Sequence, residues 1–336
     1  MRRNWRRPLT LLAVSVTLLG IALLMRLADH DLADRQQEPF TFTAGNTQLA
    51  GTLWRPDTPA QAAVILVHGD GAQDRSSAGG YAPFINTLLD AGIAVAAWDK
   101  PGVGGSTGNW LDQSMQDRQI EARAALATLA TRADTPVGAL GFSQAGWVLP
   151  GLNAPEAAFL VLIGPAVSWR DQGAYYTATR LAREGRSAAE ITETLGRIAI
   201  ENEATFGPTA AYDPTTNLTE DRWAFIQRNR DADARADLAT LTIPLLAIWG
   251  ADDLNVDART DAAIYRATMQ TPHPATRIEI LPNATHGLLK SGPYNWHLTS
   301  DWPWHAQARF TIDGRYAFAH GALDRITDWI TTTAAP

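Results

Sequence analysis

Two rhythms of apolar and polar residues run along this chain. Residues 40–43 and 48–54 alternate as short antiparallel strands would, turned at Gly45-Asn46, a dipeptide suited to tight turns. Beyond them the apolar positions become continuous. Residues 62–68 (AAVILVH), 93–98 (IAVAAW), 137–142, 159–163 and 245–249 are apolar runs bounded by Gly, Pro or Asp, the pattern of strands buried on both faces. Residues 277–281 add a shorter strand. Helical stretches lie between them, such as 83–91 and 113–132, the latter with Ile120, Ala124 and Ala127 spaced along one face. This alternation predicts an α/β fold: a doubly wound, mostly parallel sheet with helices on both sides.

One interval breaks the rhythm. From Ser168 to Thr240 about seventy residues pass before the next buried strand, and they include Ser187-Ala188-Ala189-Glu190, a capping box followed by Ile191, Leu195 and Ile198 at helical spacing. The interval is therefore a helical insertion, placed to cover the strand ends where α/β sheets hold ligands.

The N-terminus follows another pattern. Residues 1–7 carry four arginines and precede an uncharged run of 17 residues, 9–25. At 1.5 Å per residue that run spans about 26 Å as a helix, just enough to meet both faces of a bilayer. The exits Arg26-Leu27-Ala28 and Asp31-Leu32-Ala33 fit a signal-peptidase site poorly, which favours an uncleaved anchor. Arg6 and Arg7 match a twin-arginine signal only loosely, because Pro8 follows them. The arginine cluster orients the anchor with its N-terminus cytoplasmic. The expected location is thus a bacterial-type inner membrane with the remaining chain on the exported, periplasmic or extracellular side; secretion after cleavage is the alternative. The polar stretch 29–39 reads as a linker.

Composition narrows the classes. Of 336 residues, 46% are hydrophobic and 19% charged, enough apolar material for a sizeable core without cross-links. The net charge is −7 and no basic stripe appears, so nucleic acid is not an expected partner. The chain has no cysteine, which excludes disulfides and thiolate nucleophiles, and no His-carboxylate cluster has metal-ligand spacing. Neither metal nor cofactor is expected.

Gly141-Phe142-Ser143-Gln144-Ala145-Gly146 follows a buried strand and opens into residues able to continue as helix. A nucleophile at so sharp a turn needs very small residues two positions away on each side, and Gly141 and Ala145 supply them. A serine hydroxyl also requires a base oriented by a carboxylate. The 245–249 strand ends in Gly250-Ala251-Asp252-Asp253, and the 277–281 strand leads to His286-Gly287, giving the order Ser, Asp, His along one expected sheet edge. Either Asp252 or Asp253 can serve as the acid. His273, His297, His305 and His320 compete with His286, but only His286 follows a strand. Backbone N–H groups for a developing oxyanion are expected at Gln144 and at Asp70 in the loop His68-Gly69-Asp70-Gly71, with the Asp70 side chain turned away. His68 is expected as a structural member of that loop. The glycine-rich stretch 102–108 lacks the Gly-Lys-Ser/Thr ending of a phosphate cradle. Tyr294, Trp296, Trp302 and Trp304 concentrate aromatic surface just after the base; they suit an acyl pocket, a membrane surface or plain packing equally.

His68-Gly69-Asp70-Gly71, Asp99-Lys100-Pro101-Gly102 with Ser106, Gly141-Phe142-Ser143-Gln144-Ala145, Gly250-Ala251-Asp252-Asp253 and His286 together resemble the alpha/beta-hydrolase superfamily, in its esterase, thioesterase and serine-aminopeptidase-like branch. The resemblance covers roughly residues 40–335. It implies Asp253 as the triad acid and a helical cap at 168–240, between core segments 40–167 and 241–336, behind an N-terminal segment of 1–28. It departs at Lys100-Pro101, where that branch tends to read x-Arg, and at Ala145, where Gly is usual. The implied activity is cleavage of a small-molecule carboxylic ester or thioester through an acyl-enzyme on Ser143. The same triad permits a peptidase or amidase, and the fold without activity permits an anchored binding protein.

Overall fold

The computed structural model describes residues 6–335, with the side chains of residues 6–13, 16 and 19 outside that description. The chain opens with helix α1 (Arg6–Ala28) and continues through strands β1 (Gln36–Ala44), β2 (Thr47–Arg55), β3 (Ala62–Val67), β4 (Ile93–Trp98), β5 (Val137–Phe142), β6 (Leu160–Ile163), β7 (Leu245–Gly250) and β8 (Arg277–Leu281). These strands form one sheet in the order β1-β2-β4-β3-β5-β6-β7-β8. β1 and β2 pair antiparallel around Gly45, whose φ of +56° places it in the left-handed region, and β2 meets β4 antiparallel. From β4 to β8 every pairing is parallel.

Parallel strands need helices on both faces to shield them, and the chain supplies these. α2 (Ala82–Asp90) and α11 (Ala322–Ala334) cover one face, burying Phe84, Leu88, Ile326 and Ile330 against Val64, Leu66 and Val161. α3 (Met115–Ala130), α7 (Arg235–Thr240) and α8 (Ala258–Thr268) cover the other, with Leu126, Leu238 and Tyr265 against Ile65, Leu162 and Trp249. Each such aliphatic side chain withdrawn from water contributes about 2 kcal/mol.

α3 turns a different face inward than the spacing of Ile120, Ala124 and Ala127 predicts. Its buried positions are Met115, Arg118, Glu121, Ala122, Ala125, Leu126 and Leu129, while Ile120 is half exposed. Two charged side chains occupy the core side because each finds partners there: Glu121 accepts from Trp98 Nε1 at 2.7 Å, and Arg118 donates to His68 O at 2.7 Å.

The interval 168–240 folds as α4 (Trp169–Arg183), α5 (Ala188–Phe206), α6 (Glu220–Asn229) and α7. Ser187 and Glu190 close the capping box at the start of α5. The interval leaves and re-enters the core at one place: Ser168 and Asp233 form an antiparallel bridge, with Trp169 N donating to Ala232 O at 3.0 Å. While α7 packs on the sheet, the helices before it reach loops that follow strands. Tyr175 Oη donates to Asp253 O at 2.8 Å, Arg222 pairs with Asp70 at 3.4 Å, and Phe225 packs edge-on to Trp110.

Two expectations need correction. The stretch 29–39 is no free linker, because β1 begins at Gln36 and Asp29 is buried against Arg315 at 2.7 Å, while Asn86 Nδ2 donates to Asp29 O and Asp31 O at 2.9 Å each. The residues after Ser143 wind as two short 3-10 turns, Ser143–Trp147 and Leu149–Gly151, where a longer helix was expected; Pro150 has no N–H to continue an α ladder. The N-terminal arginines lie outside the described residues and side chains, and among the described residues no helix is long and apolar enough to cross a membrane.

α9 (Ser291–Tyr294), α10 (Trp304–Asp313) and α11 complete the chain. A methyl group at Gly250, the last residue of β7, would land on the carbonyl oxygens of Ala284 and Thr285, which are backbone atoms with nowhere to go. Gly250→Ala should therefore lower the denaturant midpoint by the equivalent of about 1–3 kcal/mol, while the same change at the open position Gly173 should shift it by less than about 1 kcal/mol.

Candidate active site

Ser143 stands at the C-terminal end of β5 with φ +51°, a left-handed conformation that costs a non-glycine residue of the order of 1 kcal/mol or more. The turn is held by close packing beneath it. A Cβ on Gly141 would collide with the Cβ of Ala145 and stand 3.0 Å from Leu149 Cδ1, so strand and turn touch where neither tolerates a larger residue. Ala145 is fully buried and Ser143 half-buried, leaving the hydroxyl at the rim of the fold.

His286 and Asp253 meet at the same rim. Asp253 Oδ2 lies 2.7 Å from His286 Nδ1, and its other oxygen, Oδ1, accepts backbone N–H bonds from Asn255 at 2.7 Å and Val256 at 2.9 Å. The Asp253 side chain has no exposed surface. Both of its oxygens are engaged and its orientation is fixed. Burial opposes a charged imidazole at His286, yet the charge and hydrogen bond of Asp253 outweigh it, so the His286 pKa rises above its ordinary 6.5. Asp252, the other candidate acid, points elsewhere: its Oδ2 accepts from Ser291 Oγ at 2.6 Å and its carbonyl from Asn295 Nδ2 at 3.0 Å. Of the competing histidines, His297 contacts Thr179 at 3.1 Å and His273 caps its own turn.

What brings the imidazole toward Ser143 is a glycine that the sequence did not single out. β5 and β6 run side by side with Phe142 opposite Ile163, so Ser143 and Gly164 leave the sheet as neighbours. Gly164 has φ +57°, and a Cβ there would stand 2.9 Å from His286 Nδ1 and 3.0 Å from Cε1. The ring therefore lies directly on the Gly164 backbone. Ser143 Oγ itself makes no hydrogen bond among the described residues, a looseness common before a substrate is bound.

The loop 68–71 closes the other side, with a Cβ on Gly69 coming 3.4 Å from Ser143 Cβ. The backbone N–H groups of Asp70 and Gln144 donate to nothing among the described residues. The loop's carbonyls are tied down: His68 O accepts from Arg118, Gly69 O from Lys100 Nζ at 2.5 Å, and Asp70 O from Gln73 Nε2 at 2.5 Å. Arg118 also donates to Gln144 Oε1, joining the loop to the residue after Ser143. The Asp70 carboxylate does not hang free; Gln144 Nε2 donates to it at 3.0 Å and Arg222 of α6 lies 3.4 Å away. Burial and the neighbouring Lys100 push the pKa of His68 down to about 3, so its ring is neutral, and Nε2–H donates to Asp74 O at 2.7 Å. His68 is a strut.

Lys100 and Arg118, each under 5% exposed, are the site's unforeseen feature. Lys100 lies in the stretch where the sequence departs from the family pattern, with Pro101 standing where Arg is usual; Arg118 lies inside a helix whose spacing pointed another way. A burden of two positive charges in low dielectric behind the loop depresses the Lys100 pKa well below its usual value, burial first and Arg118 second.

A mostly parallel sheet, a serine at a strained strand-to-turn junction and an acid-histidine pair on later loops of the same rim define an alpha/beta hydrolase. The chain belongs to the serine aminopeptidase, S33, family, whose profile matches residues 58–291. No curated protein matches the sequence. Among solved structures the chain is similar to the esterase Pf2001 of Pyrococcus furiosus, at 15% identity and TM-score 0.54 over 90% of this chain and 92% of that one. It is also similar to Est1E from Butyrivibrio proteoclasticus, solved with ferulic acid, at 15% identity and TM-score 0.50 over 87% and 96% of the two chains. A third likeness is to a proline iminopeptidase of Mycobacterium smegmatis, at 17% identity and TM-score 0.50 over 74% and 91%.

The contact between Gly164 and the imidazole has a direct test. Gly164→Ala should destabilise the protein by about 2 kcal/mol, and the part of that loss due to the imidazole should vanish when His286→Ala is present, while the part due to the positive φ and to the His286 carbonyl oxygen, 2.9 Å from the added Cβ, remains. A cost unchanged in the double variant would place the strain elsewhere.

Proposed function

We propose that this hydrolase is a serine enzyme that cleaves a carboxylic ester or thioester through an acyl-enzyme on Ser143. The observation that carries the proposal is the buried Asp253-His286 pair, seated on Gly164 beside a serine held at φ +51°. His286 Nε2 takes the hydroxyl proton as Oγ attacks the carbonyl carbon, and Asp253 stabilises the imidazolium that forms. The N–H groups of Gln144 and Asp70 are assigned to the oxyanion, on a loop whose carbonyls are pulled toward Lys100 and Arg118. The imidazolium then gives its proton to the leaving alcohol or thiol. Water, deprotonated by the same histidine, attacks the acyl carbon, and the free acid departs with Ser143 restored.

The family's description favours a second reading, a peptidase that removes an N-terminal residue with the same three side chains. Competing turnover of amino-acid p-nitroanilides and p-nitrophenyl esters distinguishes the two. We assign the domain to the exported side of a bacterial-type membrane, with the N-terminal segment as its attachment. Supporting this are the apolar side chains that α1 holds in the open, Leu18, Leu24 and Met25 among them, each more than 60% exposed.

A fluorophosphonate probe should label the wild type at one site and leave Ser143→Ala unlabelled; an unlabelled wild type would point to a binding protein on a hydrolase fold. The pH profile follows from the pKa direction. His286 must be neutral to accept the proton, and Asp253 holds its pKa above 6.5, so kcat/KM should fall as pH drops through an apparent pKa above 6.5. In Asp253→Asn burial acts unopposed, which should move that acidic limb to lower pH while kcat drops by roughly 10³–10⁴-fold.

A further inference from the structure

Apolar surface on this protein is concentrated in one place. Among the described residues, every exposed large hydrophobic side chain except Ile120 and Ile200 belongs either to α1 or to the segment 296–316 around α10. In α1 the residues Val14, Leu18, Ile21 and Met25 recur at helical spacing and are 49–70% exposed. In α10 Trp304, Ala308 and Ile312 lie four residues apart on the outward face, Trp304 at 79% and Ile312 at 49%, while Ala306 turns inward and Phe310 is partly covered. Exposed His305, Gln307 and Arg309 flank that stripe.

The two elements are joined. Arg26 stacks its guanidinium 3.8 Å over the Tyr316 ring and donates to Asp313 O at 3.5 Å, and His30 packs edge-on against Phe310 at 5.2 Å. Asp29 and Arg315 lock the end of α1 beneath α10 at 2.7 Å. The same stretch of chain is tied to the acid loop through Asn295 Nδ2 to Asp252 O at 3.0 Å and Asn255 Nδ2 to His297 O at 3.1 Å. Beneath the segment Tyr294 and Trp302 pack ring against ring at a tilt, Phe310 meets both edge-on, and Tyr294 Oη donates to Asp313 at 2.9 Å. The aromatic concentration therefore divides: Tyr294 and Trp302 pack inward as a rigid block, and Trp304 is carried outward on it.

We infer that α10 is an interfacial foot: its 304/308/312 stripe rests in the headgroup layer of a bilayer beside α1, and sets the active-site rim against the lipid so that the substrate is an acyl ester dissolved in the membrane. A narrow apolar stripe with an outermost tryptophan, bordered by polar residues, is the pattern of a helix lying in the membrane plane, and it needs no spanning helix. The bilayer is the occupant because α10 is joined to the end of α1 through Arg26 and His30, and the uncharged run of α1 follows four arginines. The inference rests on the membrane attachment and ester chemistry proposed above.

The chain has no cysteine, so one introduced thiol reports from one place. Full-length Trp304→Cys, Ile312→Cys and, on the cap, Ile200→Cys are each labelled with an environment-sensitive fluorophore and mixed with vesicles of three parts phosphatidylcholine to one part phosphatidylglycerol. Flotation first reads attachment itself. In the floated protein, labels at 304 and 312 should lose most of their quenching by aqueous iodide, several-fold, and the label at 200 should not. A floated protein whose 304 and 312 labels stay as accessible as the 200 label overturns the foot and leaves the attachment standing. Protein that does not float removes both. Protection that appears without vesicles and grows with protein concentration assigns the stripe to a second copy of the chain instead. The substrate arm uses Trp304→Ser with Ile312→Ser: turnover of a long-chain ester in those vesicles should fall at least about 5-fold, with soluble p-nitrophenyl acetate changed less than about 2-fold. Equal effects on both substrates would reject the membrane-dissolved substrate.

Discussion

A carboxylate sealed from water, with one oxygen saturated by two backbone amides and the other on an imidazole nitrogen, is the interaction around which the rim of this protein is arranged. Burying an ionised aspartate is costly unless it is fully paired, so Asp253 can occupy that place only with Asn255, Val256 and His286 all in position. Those partners belong to two different loops, and the loops approach because Gly250 lets the carbonyls of residues 284 and 285 pass close to β7. The geometry of the acid-base pair is thus written into the backbone packing between β7 and the chain after β8.

The serine is held by a different device. Its left-handed turn is tolerable because Gly141 and Ala145 let strand and turn touch, and because the chain beyond is wedged by Leu149 and Pro150. Opposite it, the buried side chains of Lys100 and Arg118 donate to carbonyl oxygens of the 68–71 loop and hold it in place. Arg118 links the two halves through Gln144. Lys100 and Arg118 are both buried, so these hydrogen bonds form in a low-dielectric surrounding where they are stronger than in water.

Much of this was legible in the residues, for identifiable reasons. Continuous apolar runs identify buried parallel strands because both faces must be covered, and all five such strands fell within a few residues of their predicted bounds. Ser187-Glu190 marked the start of α5 because a capping box is a local interaction. Legibility failed where the deciding partner was distant. The inward face of α3 could not be read from Ile120, Ala124 and Ala127, since Arg118 and Glu121 are buried by bonds to His68, Gln144 and Trp98. Residues 29–35 look like a polar spacer until Arg315 and Asn86, far along the chain, bind them. Gly164 is one of 26 glycines, and nothing local distinguishes it; its role exists only because β5 and β6 are neighbours. Between Asp252 and Asp253 the residues alone left a choice, and the two side chains diverge because Ser291 holds the first.

The bridge between Ser168 and Asp233 gives the helical interval above the rim an unusual independence. Seen from the sheet, some sixty intervening residues leave and return on a hairpin stalk, so the strands would keep the same register around a short turn as around the three helices α4, α5 and α6. Such an appendage can be lengthened, shortened or exchanged across evolutionary time without re-registering a single strand. The contacts that would have to be rewoven include Tyr175 to the acid loop, Arg222 to Asp70, Asn229 to Met115 and the buried Phe225. Appendage and sheet can therefore drift separately on this scaffold, because the strands keep their register whatever the stalk carries.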